Sequence, residues 1–324
     1  MSILCSISTR GRYDTTLPLA LASVINQTKL PDKLIIFDDN DSPKDLRNIT
    51  QYSYLFQMLD IKGINWEVIF GAKKGQSHNH QIANSMGFDW VWRLDDDNIA
   101  ESNVLESLYS YTFSDVGAIG GSILTPPLIF ENIEVTGKIE NIYNEPNLQW
   151  KKQIISHQEV EHLHCSYLYR AGIQDFNLGL SRLCHREETL HTYGLLKKGY
   201  KNFVIPNCIT WHLKNPAGGI RSKNKKAEED FKHDEQIFNN IMSFKHRPIV
   251  VLNNGLGDHL VFKRVLAELD NPVIFSCYPD IIPGRSIAEA QFLFGDIEEF
   301  NVYRKMAEWK WNDSLENAFR KLYL

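Results

Sequence analysis

The 324-residue sequence has little that would staple it together or carry it across a membrane. Its five cysteines (Cys5, Cys165, Cys184, Cys208, Cys277) lie far apart and include no C-x-x-C pair. That spacing and the odd count argue against a disulfide framework and for a reducing compartment. No apolar run approaches the ~20 residues of a membrane helix. The opening SILCSISTRGR has no basic stretch ahead of an apolar one, so no signal peptide is expected and a cytoplasmic location is. Neither sign of charge dominates. With 35 Lys+Arg against 40 Asp+Glu the net charge is −5, which excludes a polycationic tail but not a local basic groove. At 43% hydrophobic and 23% charged, the chain is neither disordered nor collagen-like. Its length predicts two domains, or one with an extension.

The first hundred residues alternate strand and helix patterns. Residues 2–8 form a β-rich run. Leu17, Ala20, Leu21, Val24 and Ile25 make a helical stripe within residues 16–27. Residues 33–37 and 65–70 read as strands, 76–86 as a helix and 90–94 as the next strand. A helix and a strand over 116–123 follow. This order predicts an α/β sheet with helices on its faces and a ligand site at the C-terminal strand ends. Further on, a helix is expected over 190–198, short edge strands over 202–205 and 208–211, and a loop with Gly218-Gly219 before another helix.

Two strands run into acidic turns. Residues 33–37 end in Asp38-Asp39-Asn40-Asp41, and residues 90–94 end in Asp95-Asp96-Asp97. Three adjacent carboxylates repel one another, so the triplet is costly without a cation. Oxygen ligands of this kind suit Mg²⁺ or Mn²⁺ with phosphate oxygens completing the shell. A solvated acidic turn is the alternative.

The combined order of motifs resembles family 2 glycosyltransferases of the GT-A fold. The carriers are STR…LASVINQTKLPDKLIIFDDNDS, then Gly71-Ala72, Gly75, Asn79 and Asn84, then Asp95-x-Asp97 in the place of the family's DxD motif. HREETLHTYGLLKKGYKNFVIPNCITWH resembles the family's acceptor-side block. The similarity spans about residues 2–244. It implies sugar transfer from a nucleotide-diphosphate donor, with uridine the nucleotide of choice, to the hydroxyl of a saccharide or glycoconjugate.

By that resemblance Thr9, Arg10, Asp38, Asp39 and Asn79 hold the nucleotide. Asp97 binds the metal, Asp95 contacts metal or ribose, and His212 is a third metal ligand or a structural histidine. Lys214, Arg221 and Lys223 close over the diphosphate or form a solvated basic loop. Glu188, with Glu187 beside it, removes the acceptor proton, implying inversion at the anomeric carbon; a helix-start pair is the alternative. His157, His162, His164 and Cys165 fit no zinc spacing and are expected to pack or to contact acceptor. Hydroxylated bases of DNA are a second acceptor class, served by the basic stretch 214–226. A non-catalytic nucleotide-sugar binder is a third reading.

Residues 249–259, IVVLNNGLGDH, form a strand and a glycine turn. They resemble the first βα turn of heptosyltransferase-like GT-B enzymes. Helix 260–269, strand 273–277 and an amphipathic tail with Leu315, Ala318, Phe319 and Leu322 on one stripe complete the pattern. The expected organisation is a GT-A catalytic domain over 1–244 and a small Rossmann-like module over 248–324, used for acceptor binding, assembly or packing.

Overall fold

The computed structural model describes residues 1–126, 131–133, 152–213, 225–244, 247–308 and 314–323. Lys214, Arg221 and Lys223, and most of the expected basic stretch, lie outside them. The chain divides into two compact units. One comprises residues 1–176 and 182–228, the other residues 177–181 and 229–324.

The first unit begins with β1 (Ile3–Thr9), α1 (Leu17–Ile25), β2 (Lys33–Asp38), α2 (Thr50–Lys62) and β3 (Asn65–Phe70). Next come α3 (Gln76–Asn84), β4 (Trp90–Arg93), β5 (Asn98–Ala100), α4 (Val104–Tyr109) and β6 (Val116–Leu124). Then follow β7 (Glu131–Ile133), β8 (Lys152–Ile154), β9 (Gln158–Val160), β10 (Tyr167–Arg170), α5 (Glu187–Lys197) and β11 (Lys201–His212). The main sheet has the order β3-β2-β1-β4-β10-β6-β11-β5, with β9 also on β11. β3, β2, β1 and β4 are mutually parallel, and β10 enters antiparallel between β4 and β6.

Alternation along the parallel strands supplies both faces of the sheet with core. Ile3, Cys5, Ile7, Leu34 and Ile36 face one cluster with α1 and α2. Leu4, Ile35, Phe37 and Val91 face the other with Tyr167, Tyr169 and Phe176. This two-sided burial is why residues 34–37 read as a continuous apolar run.

Three expectations differ from what is seen. Residues 202–205 and 208–211 are not edge strands but one strand, β11. It lies inside the sheet, parallel to β6 and antiparallel to β9 and β5. A register shift between Val204 and Ile209, around Pro206, breaks its alternation into two halves. The helix expected over 190–198 starts at Glu187, because Arg186 ahead of it takes a left-handed φ of 71° and turns the chain. Helix α2 had no counterpart in the pattern above, although Tyr52, Phe56 and Leu59 form its buried stripe.

In the second unit, α6 (Lys225–Ser243), whose first turn belongs to the first unit, precedes a parallel pair, β12 (Ile249–Leu252) and β13 (Val273–Ser276). α7 (Leu256–Leu266), α8 (Ile287–Phe294), α9 (Val302–Glu308) and α10 (Leu315–Tyr323) surround that pair. The helix expected from residue 260 starts at once after Gly255. Ala318 and Phe319 of the tail stripe are buried in this unit's own core with Phe262 and Val265. Among the described residues no helix is long and apolar enough to cross a membrane.

Candidate active site

The C-terminal ends of β1, β2 and β4 converge, as parallel pairing demands. From β1, Thr9 donates its hydroxyl to Asp96 Oδ2 at 2.7 Å, and the Arg10 amide donates to the same oxygen at 3.3 Å. From the following turn, Arg12 Nη1 donates to Asp97 Oδ2 at 2.8 Å. From β2, Asp38 accepts from the Tyr13 hydroxyl and from Asn40 Nδ2, the latter at 2.7 Å. Asp39 accepts from the Gly75 amide and from Arg182 Nε, both at 3.2 Å. Its Oδ1 is buried with no hydrogen-bond partner. Arg182 and Arg10 together hold Asp41.

The acidic triplet is compensated from within the chain. Arg93, the last residue of β4, is fully buried. It donates to the Cys165 carbonyl at 2.6 Å and to Glu187, and its Nη2 lies 3.2 Å from Asp95 Oδ1. Burial nonetheless raises Asp95 above the usual carboxylate range, with Asp97 and Glu188 adding to the effect against Arg93. Burial, reinforced by Asp97, pushes Asp96 up to about 7. Burial would raise Asp97 too. Instead the His212 hydrogen bond and charge, together with Arg12, hold it below its ordinary value.

The two glutamates part company. Glu187 is wholly enclosed between Arg93 and Gln76 Nε2, the latter at 2.9 Å. Burial drives its carboxyl up to about 8 against the pull of Arg93. Glu188 keeps 15% of its side chain exposed, and its Oε1 stands 3.7 Å from His164 Nδ1. Burial would raise it, but the neighbouring His164 and the Arg93 charge hold it below its ordinary value. The pair does sit at a helix start, but inside the protein, not on a solvated face.

Of the residues expected in the site, Thr9, Arg10, Asp38, Asp39, Asp95, Asp97, Glu187, Glu188 and His212 converge at these strand ends. His212 Nε2 lies 3.4 Å from Asp97 Oδ2, while Asp95 turns toward Arg93. Among the described residues no three His, Cys, Asp or Glu side chains already stand close enough together to hold a metal ion. Asn79 is fully buried in α3 and donates to Ser8 Oγ at 2.8 Å, bracing β1, while its Oδ1 has no hydrogen-bond partner. Arg221 lies outside the described residues. His157 stacks on Phe203 with centroids 4.4 Å apart, a packing role. His162 is buried, and His164 reaches the site.

The reading above missed Arg12, Arg93, Gln76 and Arg182. Arg93 carried one usable signal: an arginine inside an apolar strand pattern is rarely buried unless paired.

The family model described as Glycosyl transferase family 2 matches residues 7–162, from β1 through the acidic triplet. Those residues form a family 2 glycosyltransferase domain. Galactofuranosyltransferase GlfT1 of Mycolicibacterium smegmatis is 28% identical over 113 residues, covering 33% of this chain and 34% of that protein. The chain thus matches about a third of that curated relative's length. Among solved structures, S. aureus TarS 1–349 in complex with UDP-GlcNAc aligns with a TM-score of 0.50 at 12% identity, covering 99% of this chain and 90% of that one. GalNAc-T7 with UDP, GalNAc and Mn²⁺ aligns with a TM-score of 0.53 at 11% identity, covering 95% of this chain and 58% of that one. At such identities the likeness establishes the GT-A fold of the glycosyltransferase domain.

Proposed function

We propose that the protein transfers a sugar from a nucleotide-diphosphate donor, a UDP-sugar, to a hydroxyl of a saccharide or glycoconjugate. The observation that carries this is the position of Glu188. It is a partly exposed carboxylate beside His164, next in the chain to Glu187, which Arg93 ties to the strand end that bears Asp95-x-Asp97. A general base must be within reach of the acceptor hydroxyl, and Glu188 is the member of the pair with exposed surface. Glu187 is enclosed and serves to hold Arg93. Attack by the activated hydroxyl from the face opposite the diphosphate gives inversion.

Asp39, whose buried Oδ1 has no partner within the chain, would accept a hydrogen bond from a base or ribose. The UDP named with both solved structures favours a UDP-linked donor, and the name of GlfT1 favours glycosyl transfer as the reaction. A divalent cation fits the donor set. Asp97 and His212 bring a carboxylate oxygen and an imidazole nitrogen to within 3.4 Å of one another, and hard oxygen ligands with one imidazole suit Mn²⁺ or Mg²⁺. Asp95, Asp97 and His212 would hold it, and when bound it neutralises charge on the departing diphosphate.

The test is transfer and donor hydrolysis with a panel of UDP-sugars and Mn²⁺. Glu188→Gln is expected to lower turnover by about 10²–10⁴-fold while UDP still raises the melting temperature. Asp97→Ala is expected to abolish the metal-dependent part. Undiminished turnover in Glu188→Gln would remove the base assignment.

A further inference from the structure

We propose that Arg12 is a resident counter-cation for Asp97, and that a divalent metal loads by displacing it. The inference rests on the metal-dependent reading above. Each carboxylate of the triplet already has an internal partner. Asp95 has Arg93, Asp96 has Thr9 and the Arg10 amide, and Asp97 has Arg12 and His212. A metal shared between Asp97 and His212 would occupy the space around Asp97 Oδ2. That same oxygen takes Arg12 Nη1 at 2.8 Å and faces His212 Nε2 at 3.4 Å. A guanidinium and a divalent ion on one carboxylate oxygen repel strongly in a poorly solvated site, so one must leave.

Arg12 is the cation built to leave. It stands in the turn after β1, next to Gly11 at a φ of 68°, with 10% of its side chain exposed. Besides Asp97 it has a long 3.4 Å bond to Thr16 Oγ1, and its Nε is buried without a partner. Arg93, by contrast, is fully buried and held by the Cys165 carbonyl, Glu187 and Asp95. One arginine is therefore fixed and one exchangeable. Once released, Arg12 presents a five-donor fork beside the cleft, which matches phosphate oxygens.

The experiment measures Mn²⁺ binding to the full chain, without donor, by the loss of the free-ion electron paramagnetic resonance signal. Arg12→Gln is expected to bind Mn²⁺ about five- to tenfold more tightly than the wild type, because no buried ion pair has to be broken first. Arg12→Lys, which keeps the charge, should stay near the wild type and guards against a folding defect in the glutamine variant. Arg10→Gln removes a nearby charge that holds Asp41 instead and should shift affinity less than about twofold. Equal or weaker binding by Arg12→Gln, or an equal gain in Arg10→Gln, overturns the exchange. Asp97→Asn tests the underlying reading separately. Mn²⁺ binding that survives this substitution unchanged removes the metal from Asp97, and the exchange with it. Binding by Arg12→Gln but not by the wild type supports the exchange in its strongest form.

Discussion

Removing the cation beneath the acidic triplet tests whether the site is held by electrostatics or by packing. Arg93→Met keeps most of the side-chain volume and deletes the charge. Fully buried Glu187 and the partly exposed Asp95 then lose their shared cation, and the Cys165 carbonyl loses its donor. Removing one partner of a buried pair costs about 3–5 kcal/mol, mostly the penalty on the charge left behind. Glu187→Gln is milder. Arg93 keeps Asp95, and a glutamine amide can still meet Gln76, so the cost is about 1–3 kcal/mol. In the double variant no buried carboxyl is left without its partner at position 187. The two costs should therefore fall short of additivity by about 1–3 kcal/mol. Urea unfolding in EDTA, followed by tryptophan fluorescence, reads all three variants, since Trp90 and Trp92 are fully buried on the same strand. Additive costs within about 0.5 kcal/mol would refute the reasoning. They would mean that position 93 matters for its volume alone.

His191 predicts acid lability. Its ring stacks on Phe176 with centroids 3.9 Å apart, and burial pushes it down to about 3. The unfolded chain takes up that proton near pH 6.5 and the folded chain only near 3. Stability is therefore intact above pH 6.5 and falls as pH drops through that window. His191→Gln should flatten the fall in melting free energy between pH 6.5 and 4 by up to about 1.4 kcal/mol per pH unit, and an unchanged slope counts against it. Gly75 has a φ of 95°, and a Cβ there would lie 2.5 Å from Cys184 Sγ and 2.7 Å from the Arg182 carbonyl. Gly75→Ala should thus cost about 1–3 kcal/mol and weaken UDP binding. Gly87→Ala, at a φ of 79° with open space around it, should cost about 1 kcal/mol in thermal unfolding and leave UDP binding alone; similar costs at both positions would discard the clash.

The sheet was legible because its strands are buried on both faces. Residues 34–37 and 90–92 are apolar without a break, and each runs into carboxylates that cannot continue a core. The acidic strand ends therefore marked where the candidate site was expected. What escaped is what depends on distant segments. The ordered pairing of Arg93 with Glu187 joins residues 94 positions apart, and the link from Arg182 to Asp39 spans 143. No local period encodes such distances. The boundaries of α5 and β11 were misplaced for local reasons. Arg186 takes a left-handed φ without being glycine, and the register shift near Pro206 hides one strand as two.

The triplet also shows how far a charge argument from sequence reaches. Three adjacent carboxylates call for compensating positive charge. Part of that charge comes from the chain itself, through Arg93 below the triplet and Arg12 beside it. The two arginines differ in what holds them. Arg93 has backbone and carboxylate partners on three sides, so it sets the positions of the strand end and of the first turn of α5 relative to one another. A metal bound above it cannot pull Asp95 freely without loosening Glu187, the neighbour of the candidate base. The carboxylates of the β4 strand end and of the first turn of α5 are thus mechanically joined through one guanidinium. A change at either end of Arg93 should be felt at the other, which is what coupling through a contiguous ion-pair network requires.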